Sequence, residues 1–282
     1  MSYRGAVLDL DGTIYRGRDR LPGARAAVTA LRDRGIPVCF FSNNPTKTPD
    51  EYVEGLAALG IDASPAEIVS AASVTTTYLH REHPEDEIFL VGSPGLRGQL
   101  DAADLALTDD PDEADVLVAS YDREFDYDRL TDALRAVEAG ATFVGTDPDM
   151  TVPGSDGRLV PGSGAMIHAV AGVADREPDA MCGKPSVEAV DAAVDVLDAP
   201  PEECLVVGDR LDTDIALGAR CGMTTVLVLT GVTDADDLDE ADDLADPDGT
   251  DSYTDDADDA RRAGDPVPDF VLSSIGDLDS LL

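Results

Sequence analysis

Three times this chain runs a short apolar stretch straight into a cluster of polar residues. Residues 6–8 lead into Asp9-Leu10-Asp11-Gly12-Thr13, residues 36–41 into Ser42-Asn43-Asn44, and residues 204–207 into Gly208-Asp209-Arg210-Leu211-Asp212-Thr213-Asp214. Such short apolar runs, flanked by glycines and turn residues, read as strands buried on both faces, as in a parallel sheet. Between the first two runs, Leu21-Pro22-Gly23 breaks the pattern, and residues 24–34 place Ala27, Val28 and Leu31 at helical spacing, with Gly35 as the stop. Strand, helix and strand in that order imply a right-handed crossover, a parallel sheet, and ligands bound beyond the strands' carboxyl ends.

The first cluster carries the chemistry. Side chains alternate along a strand, so Asp9 and Asp11 can project the same way from its carboxyl end. Two acids held there suit a divalent cation, with one carboxylate kept ionised as a nucleophile and the other handling a proton. Gly12 lets the backbone turn close to a ligand. An Asp-Gly turn after a strand also occurs without any chemistry, so the argument rests on the partner clusters.

Composition narrows the choice of partners. The 282 residues include 59 acidic and 20 basic side chains, a formal charge of -39, densest near residues 234–260. A field of that sign repels phosphate backbones and anionic membranes, which excludes nucleic acid and membrane surfaces as partners. The only lysines are Lys47 and Lys184; the other basic residues are arginine. An Asp- and Glu-rich, lysine-poor surface points to a halophilic source, because strong salt screens such charge over a few ångströms. Cys39, Cys182, Cys204 and Cys221 form no C-x-x-C pair, so neither a zinc site nor a disulfide framework is expected. No signal segment or apolar span is seen, and a cytoplasmic protein is the expectation.

Further along, Thr48-Pro49-Asp50-Glu51 has the form of a capping box opening a helix to about residue 60, followed by a short strand at 68–70 and a helix over 72–80. Residues 88–91, 116–119 and 142–144 read as strands, separated by helices near 96–100 and 127–139. That makes an α/β unit able to fold by itself, set between two stretches that read as parts of one sheet. After it come Gly183-Lys184-Pro185-Ser186, a helix over 187–197, the third strand with its acidic tip, further strands at 226–229 and 270–272, and a short terminal helix. The expected layout is a core from residues 1–78 and 177–282 with an inserted unit at 79–176. Residues 233–265 form an acidic excursion whose low hydrophobicity and like charge favour a solvated loop.

Taken together, Asp9-Leu10-Asp11-Gly12-Thr13, Ser42-Asn43-Asn44, Gly183-Lys184-Pro185 and Gly208 to Asp214 resemble the four ordered motifs of the haloacid dehalogenase superfamily. The insert between the second and third motifs is similar to the C2 cap of its NagD-like and p-nitrophenyl phosphatase-like branch. Each motif alone is weak evidence; their order, spacing and placement after apolar strands are not.

The resemblance implies an α/β fold, a Rossmann-like parallel-sheet core with an inserted α/β C2 cap. It implies a Mg2+-dependent phosphatase acting on a small phosphorylated metabolite: a sugar phosphate, phosphoglycolate, a nucleotide monophosphate or p-nitrophenyl phosphate. Asp9 would form an aspartyl-phosphate while Asp11 protonates the leaving oxygen and then activates water. Mg2+ would be held by Asp9, the Asp11 backbone carbonyl and Asp209, with Asp214 supporting the set and Asp212 a surface acid. Ser42, Asn43, Asn44 and Lys184 would serve the phosphoryl group. Met150, Thr151 and Val152, in the roof segment that begins at Gly145-Thr146-Asp147, would select the leaving group. Members that prefer pyridoxal phosphate carry an imidazole where Val152 stands, which argues against that substrate. Homodimers through the cap occur in this branch. A phosphosugar mutase or a non-catalytic phosphoester-binding regulator is the rival reading. His80, His83 and His168 have no metal-ligand spacing and are assigned no role.

Overall fold

The computed structural model describes residues 3–154, 158–235 and 266–282. By contact the chain divides into two units, Met1–Cys39 with Leu197–Leu282, and Phe40–Val196. The fold is α/β with parallel sheets throughout its main layers.

In the first unit, both ends of the chain contribute to one sheet. Gly5–Asp9 pairs in parallel with Cys204–Gly208, which pairs with Thr224–Val228, which pairs with Phe270–Leu272. All residues of Gly5–Asp9 and Cys204–Gly208 are buried, as expected for strands covered on both faces. The helix Ala24–Asp33 buries Ala24, Ala27, Val28 and Leu31, the stripe expected from their spacing. On the other side of Gly5–Asp9, the Ala6 N–H donates to the Pro37 carbonyl at 2.9 Å.

The boundary between the units falls inside the strand Val38–Ser42. Its last residues belong to the second unit, where Ser42 lies in register with Ser70 of the strand Ile68–Ser70. The helix Pro49–Ala58 opens with the capping box read from the sequence: Thr48 Oγ1 accepts from the Glu51 N–H, and Glu51 accepts from the Thr48 N–H at 2.7 Å. The second unit also holds a five-stranded parallel sheet in the order Ala180–Met181, Thr142–Gly145, Val116–Ala119, Ile88–Val91, Leu107–Thr108. Phe89, Leu117 and Phe143 from its strands pack with Ala133, Ala136, Ile167 and Val170 of the helices Tyr127–Ala139 and Ser163–Ala174.

The two outer strands of this sheet, only two residues each, have no legible period in the sequence. Ala180–Met181 carries the sheet past residue 176, where the inserted unit was expected to close. In the roof segment, Thr151–Pro153 and Leu159–Pro161 pair as an antiparallel ladder. Two prolines fit there because each can lie at the edge of a two-stranded ribbon.

All four cysteines are free thiols, three buried and Cys221 half-buried. Burial pushes the Cys182 thiol up to about 12 and Cys204 to about 11, so neither is a nucleophile at neutral pH. Among the described residues no helix is long and apolar enough to cross a membrane. Most of the acidic excursion, residues 236–265, lies outside the described residues.

Candidate functional site

In the first unit, Asp9, Asp209 and Asp214 come together at the carboxyl ends of two neighbouring strands. Each offers a carboxylate oxygen within 4.8 Å of the others, and all three are buried. Asp9 is the last residue of Gly5–Asp9, and Asp209 directly follows Cys204–Gly208, so the parallel pairing of these strands brings residues 200 apart in sequence side by side. Asp214 arrives through a single turn of π-helix, Leu211–Ile215, the kind of local widening that re-aims a side chain. Its Oδ2 accepts the backbone N–H groups of Asp209 and Arg210, each at 3.2 Å. Asp212, next to the buried Thr213 and two residues from the buried Asp214, instead faces outward to Arg210 at 3.1 Å.

Three carboxylates in so small a buried volume repel one another, and that repulsion is relieved by a cation. The donors are all hard oxygens, which fits a divalent cation of the Mg2+ or Ca2+ type and not a soft metal. Asp11 is not part of this carboxylate cluster. The strand stops at Asp9, so the two-residue alternation that would align both acids ends there. Asp11 lies in the turn beyond, bridged to Tyr15, with the Gly12 N–H donating to the Tyr15 carbonyl at 2.8 Å.

A fourth segment completes this site, and it was not foreseen. After Thr224–Val228 the chain passes over Asp209: the Val232 N–H donates to Asp209 Oδ2 at 2.6 Å, and the Thr233 N–H to the Asp209 carbonyl at 3.1 Å. Thr230 Oγ1 donates to the Gly12 carbonyl at 2.6 Å, and Arg16 donates to the Thr230 carbonyl. Asp209 is thereby boxed in. A Cβ on Gly12 would lie 2.6 Å from Asp209 Cγ, and one on Gly231 would overlap the Asp209 carboxylate outright. Gly12 also has a φ of +91°, which a glycine adopts without strain. The sequence signal was present, a Thr-Gly at a strand's carboxyl end, but nothing local tied it to Asp209.

In the second unit, Ser42, Asn43, Asn44 and Lys184 are held by a separate set of bonds. Ser42 is buried, and its Oγ accepts the Asn44 N–H at 3.2 Å. The Asn44 side chain accepts from the Thr46 N–H at 2.9 Å and from the Thr46 hydroxyl at 2.7 Å, an Asx turn that shapes the loop. The Asn43 amide meets both backbone groups of Lys184 and the Asp149 carboxylate. Lys184 is buried, unlike a solvated surface lysine, with Nζ donating to the Phe41 carbonyl at 3.2 Å.

The roof segment begins with Thr146 and Asp147, both buried. Burial, reinforced by the charge of Asp149, pushes the Asp147 carboxyl up to about 8, against the lowering effect of hydrogen bonds from Ser163 and Thr146. Met150 and Val152 are half-buried and Thr151 is exposed on the antiparallel ladder, where Val152 faces Val160 and the Gly162 N–H donates to the Met150 carbonyl at 2.9 Å.

Comparison with known proteins gives a consistent picture. A family model described as haloacid dehalogenase-like hydrolase matches residues 6–106, and a second, HAD-hydrolase-like, matches residues 181–260. An acid sugar phosphatase of Staphylococcus haemolyticus is 37% identical over 241 residues, 86% of this chain and 90% of that protein. Among solved structures, a p-nitrophenyl phosphatase from Archaeoglobus fulgidus superposes with a TM-score of 0.86 at 33% identity, covering 100% of both chains. A 4-nitrophenylphosphatase from Thermotoga maritima gives 0.84 at 29% identity, covering 99% of this chain and 97% of that one.

Proposed function

The chain belongs to the haloacid dehalogenase-like hydrolases, and from that premise we propose a Mg2+-dependent phosphatase for small phosphomonoesters, sugar phosphates foremost. The observation that carries the reading is the convergence of Asp9, Asp209 and Asp214 within 4.8 Å of one another. The relatives named as acid sugar phosphatases and p-nitrophenyl phosphatases support the substrate class.

In this reading an Asp9 carboxylate oxygen attacks phosphorus. The bond to the leaving oxygen breaks as Asp11 gives that oxygen a proton, leaving a phosphorylated Asp9 and a free alcohol. Asp11, now ionised, takes a proton from water, whose oxygen attacks phosphorus and releases phosphate and the Asp9 carboxylate. Ser42 donates a hydrogen bond to the phosphoryl oxygens, and the Lys184 ammonium compensates their charge. Mg2+, held by Asp9, Asp209 and Asp214 with the Asp11 carbonyl, would offset the repulsion between an anionic nucleophile and an anionic substrate. The inserted α/β unit, expected at 79–176 and extended by Ala180–Met181, acts as the cap, with Met150, Thr151 and Val152 choosing the leaving group, and dimerisation through that unit belongs to the same reading. A charge of -39 with two lysines supports a salt-rich cytoplasm as the working medium.

The test is phosphate release from sugar phosphates and p-nitrophenyl phosphate in concentrated KCl, with and without Mg2+. Release should require the metal and vanish in Asp9→Asn. A folded wild type that releases phosphate from none of them, or an Asp9→Asn variant that works as well, sinks the proposal.

A further inference from the structure

Asn43 sits where the sequence reading places a substrate ligand, yet most of its amide is spent inside the protein. Oδ1 accepts the Lys184 N–H at 2.8 Å, while Nδ2 donates to the Lys184 carbonyl at 3.2 Å and to Asp149 Oδ1 at 3.3 Å. That engages both donors and one of the two lone pairs of the side chain. An amide bonded to both backbone groups of one residue fixes that residue as a paired strand would. Beyond its main chain, the Lys184 side chain is held by the Phe41 carbonyl at 3.2 Å, with Nζ 5.3 Å from the Phe41 ring centroid. Asn43 thus fixes the stretch of backbone from which the Lys184 side chain reaches the Phe41 carbonyl.

Asp149 is the side chain that braces Asn43 from outside the Lys184 backbone. It is braced in turn, since its N–H lies 3.4 Å from Asp147 Oδ1, and Asp147 Oδ2 is 3.0 Å from Thr146 Oγ1. Thr146 Oγ1 also lies 2.8 Å from Ser120 Oγ. A hydroxyl has one proton, so Thr146 serves as donor to only one of these two neighbours at a time. The same segment is bonded to the lysine's own strand of chain: the Cys182 N–H donates to the Gly145 carbonyl at 3.0 Å and the Gly183 N–H to the Thr146 carbonyl at 2.6 Å. The approach is so close that a Cβ on Gly183 would lie 2.8 Å from the Thr146 carbonyl oxygen and 2.9 Å from Asn43 Oδ1 and Asp147 Cβ.

We propose that Asp149, acting through the Asn43 amide, is a positioning residue for the Lys184 side chain. The consequence for turnover rests on the reading of Lys184 as the phosphoryl group's charge partner; the positioning itself does not.

Two lysines in the whole chain make the test direct. Protein labelled with 13C at the lysine ε-carbon gives two side-chain resonances, and Lys47→Arg assigns them. Asp149→Ala should move or broaden the Lys184 resonance and leave that of Lys47 in place. Asp149→Asn, whose Oδ1 can still accept from Asn43, should keep Lys184 close to its wild-type position. Should the alanine variant not fold, Asp149→Ser, too short to reach Asn43, takes its place. In the same proteins, kcat for p-nitrophenyl phosphate should fall about 10- to 100-fold in Asp149→Ala, with no further loss when that change is added to Lys184→Met. A Lys184 resonance that does not respond to Asp149→Ala or Asp149→Ser overturns the proposal, as does an Asp149→Asn variant displaced as far as the alanine one. If the resonance moves but Lys184→Met is fully active, the positioning stands and it is the catalytic reading of Lys184 that fails.

Discussion

Gly231→Ala is a one-methyl change that should disable this enzyme while leaving it folded. The new Cβ would overlap the Asp209 carboxylate. Asp209 has little room to yield: it is 2% exposed, Val232 holds its Oδ2 at 2.6 Å, and the position a Cβ would take on Gly12 lies 2.6 Å from its Cγ on another side. To reach ordinary contact the carboxylate must retreat by more than about 1 Å, a misplacement that can cost about 100-fold in rate at a reacting centre. Overpacking of this kind costs about 1–3 kcal/mol of stability, less than a domain of this size has to lose. The φ of Gly231 is not positive, so the methyl group alone is responsible. The assay is p-nitrophenyl phosphate hydrolysis across a Mg2+ titration, with thermal unfolding run alongside. The expected result is a fall in kcat/KM near 100-fold and a rise in the Mg2+ needed for half-maximal rate, with the cooperative transition retained. A variant within about threefold of wild type at the same Mg2+ requirement, the range of a neutral substitution, would refute the claim that Asp209 must stay where Gly231 allows it.

The converse substitution, Gly98→Ala, meets nothing within 4 Å in the exposed interior of Pro94–Ala102, so it should raise stability by about 0.5–1 kcal/mol without touching activity, as read by denaturant unfolding. Mg2+ at 100 times its dissociation constant should add about 2.7 kcal/mol to the unfolding free energy, an increment that EDTA reverses and that Asp209→Asn largely removes in calorimetry. For Asp147, with a folded-state value pushed up from 3.8 to about 8, the folded protein holds a proton that the unfolded chain has released. Its contribution is whole below about pH 4 and lost as pH rises to about 8, so Asp147→Asn should gain stability relative to wild type over that window in paired urea titrations; a constant difference between the two would contradict the shifted carboxyl.

The elements that position the site could be read from local patterns. The strand tips at Asp9, Ser42 and Asp209 follow runs of buried apolar residues, the helix Pro49–Ala58 announces itself by Thr48 and Glu51, and Ala27, Val28 and Leu31 mark the inward face of Ala24–Asp33. Spacing alone, however, could not separate Asp212 from Asp214: the first faces outward to Arg210, while the π-helical turn carries the second inward.

What the sequence determined by itself was the succession of strands and helices and the chemical character of each strand's end. These depend on periodicity, capping and burial, which act over a few residues. The tertiary structure alone decided which of those ends meet. Asp209 stands beside Asp9 because their strands are parallel neighbours, and Gly231 and Val232 close over Asp209 because the next strand ends there. Likewise, the amide of Asn43 is committed to Lys184 and Asp149, residues more than a hundred positions away. A side-chain pattern encodes direction only while its own strand or helix continues; beyond the last residue of the element, the partners are chosen by how the strands are ordered in the sheet.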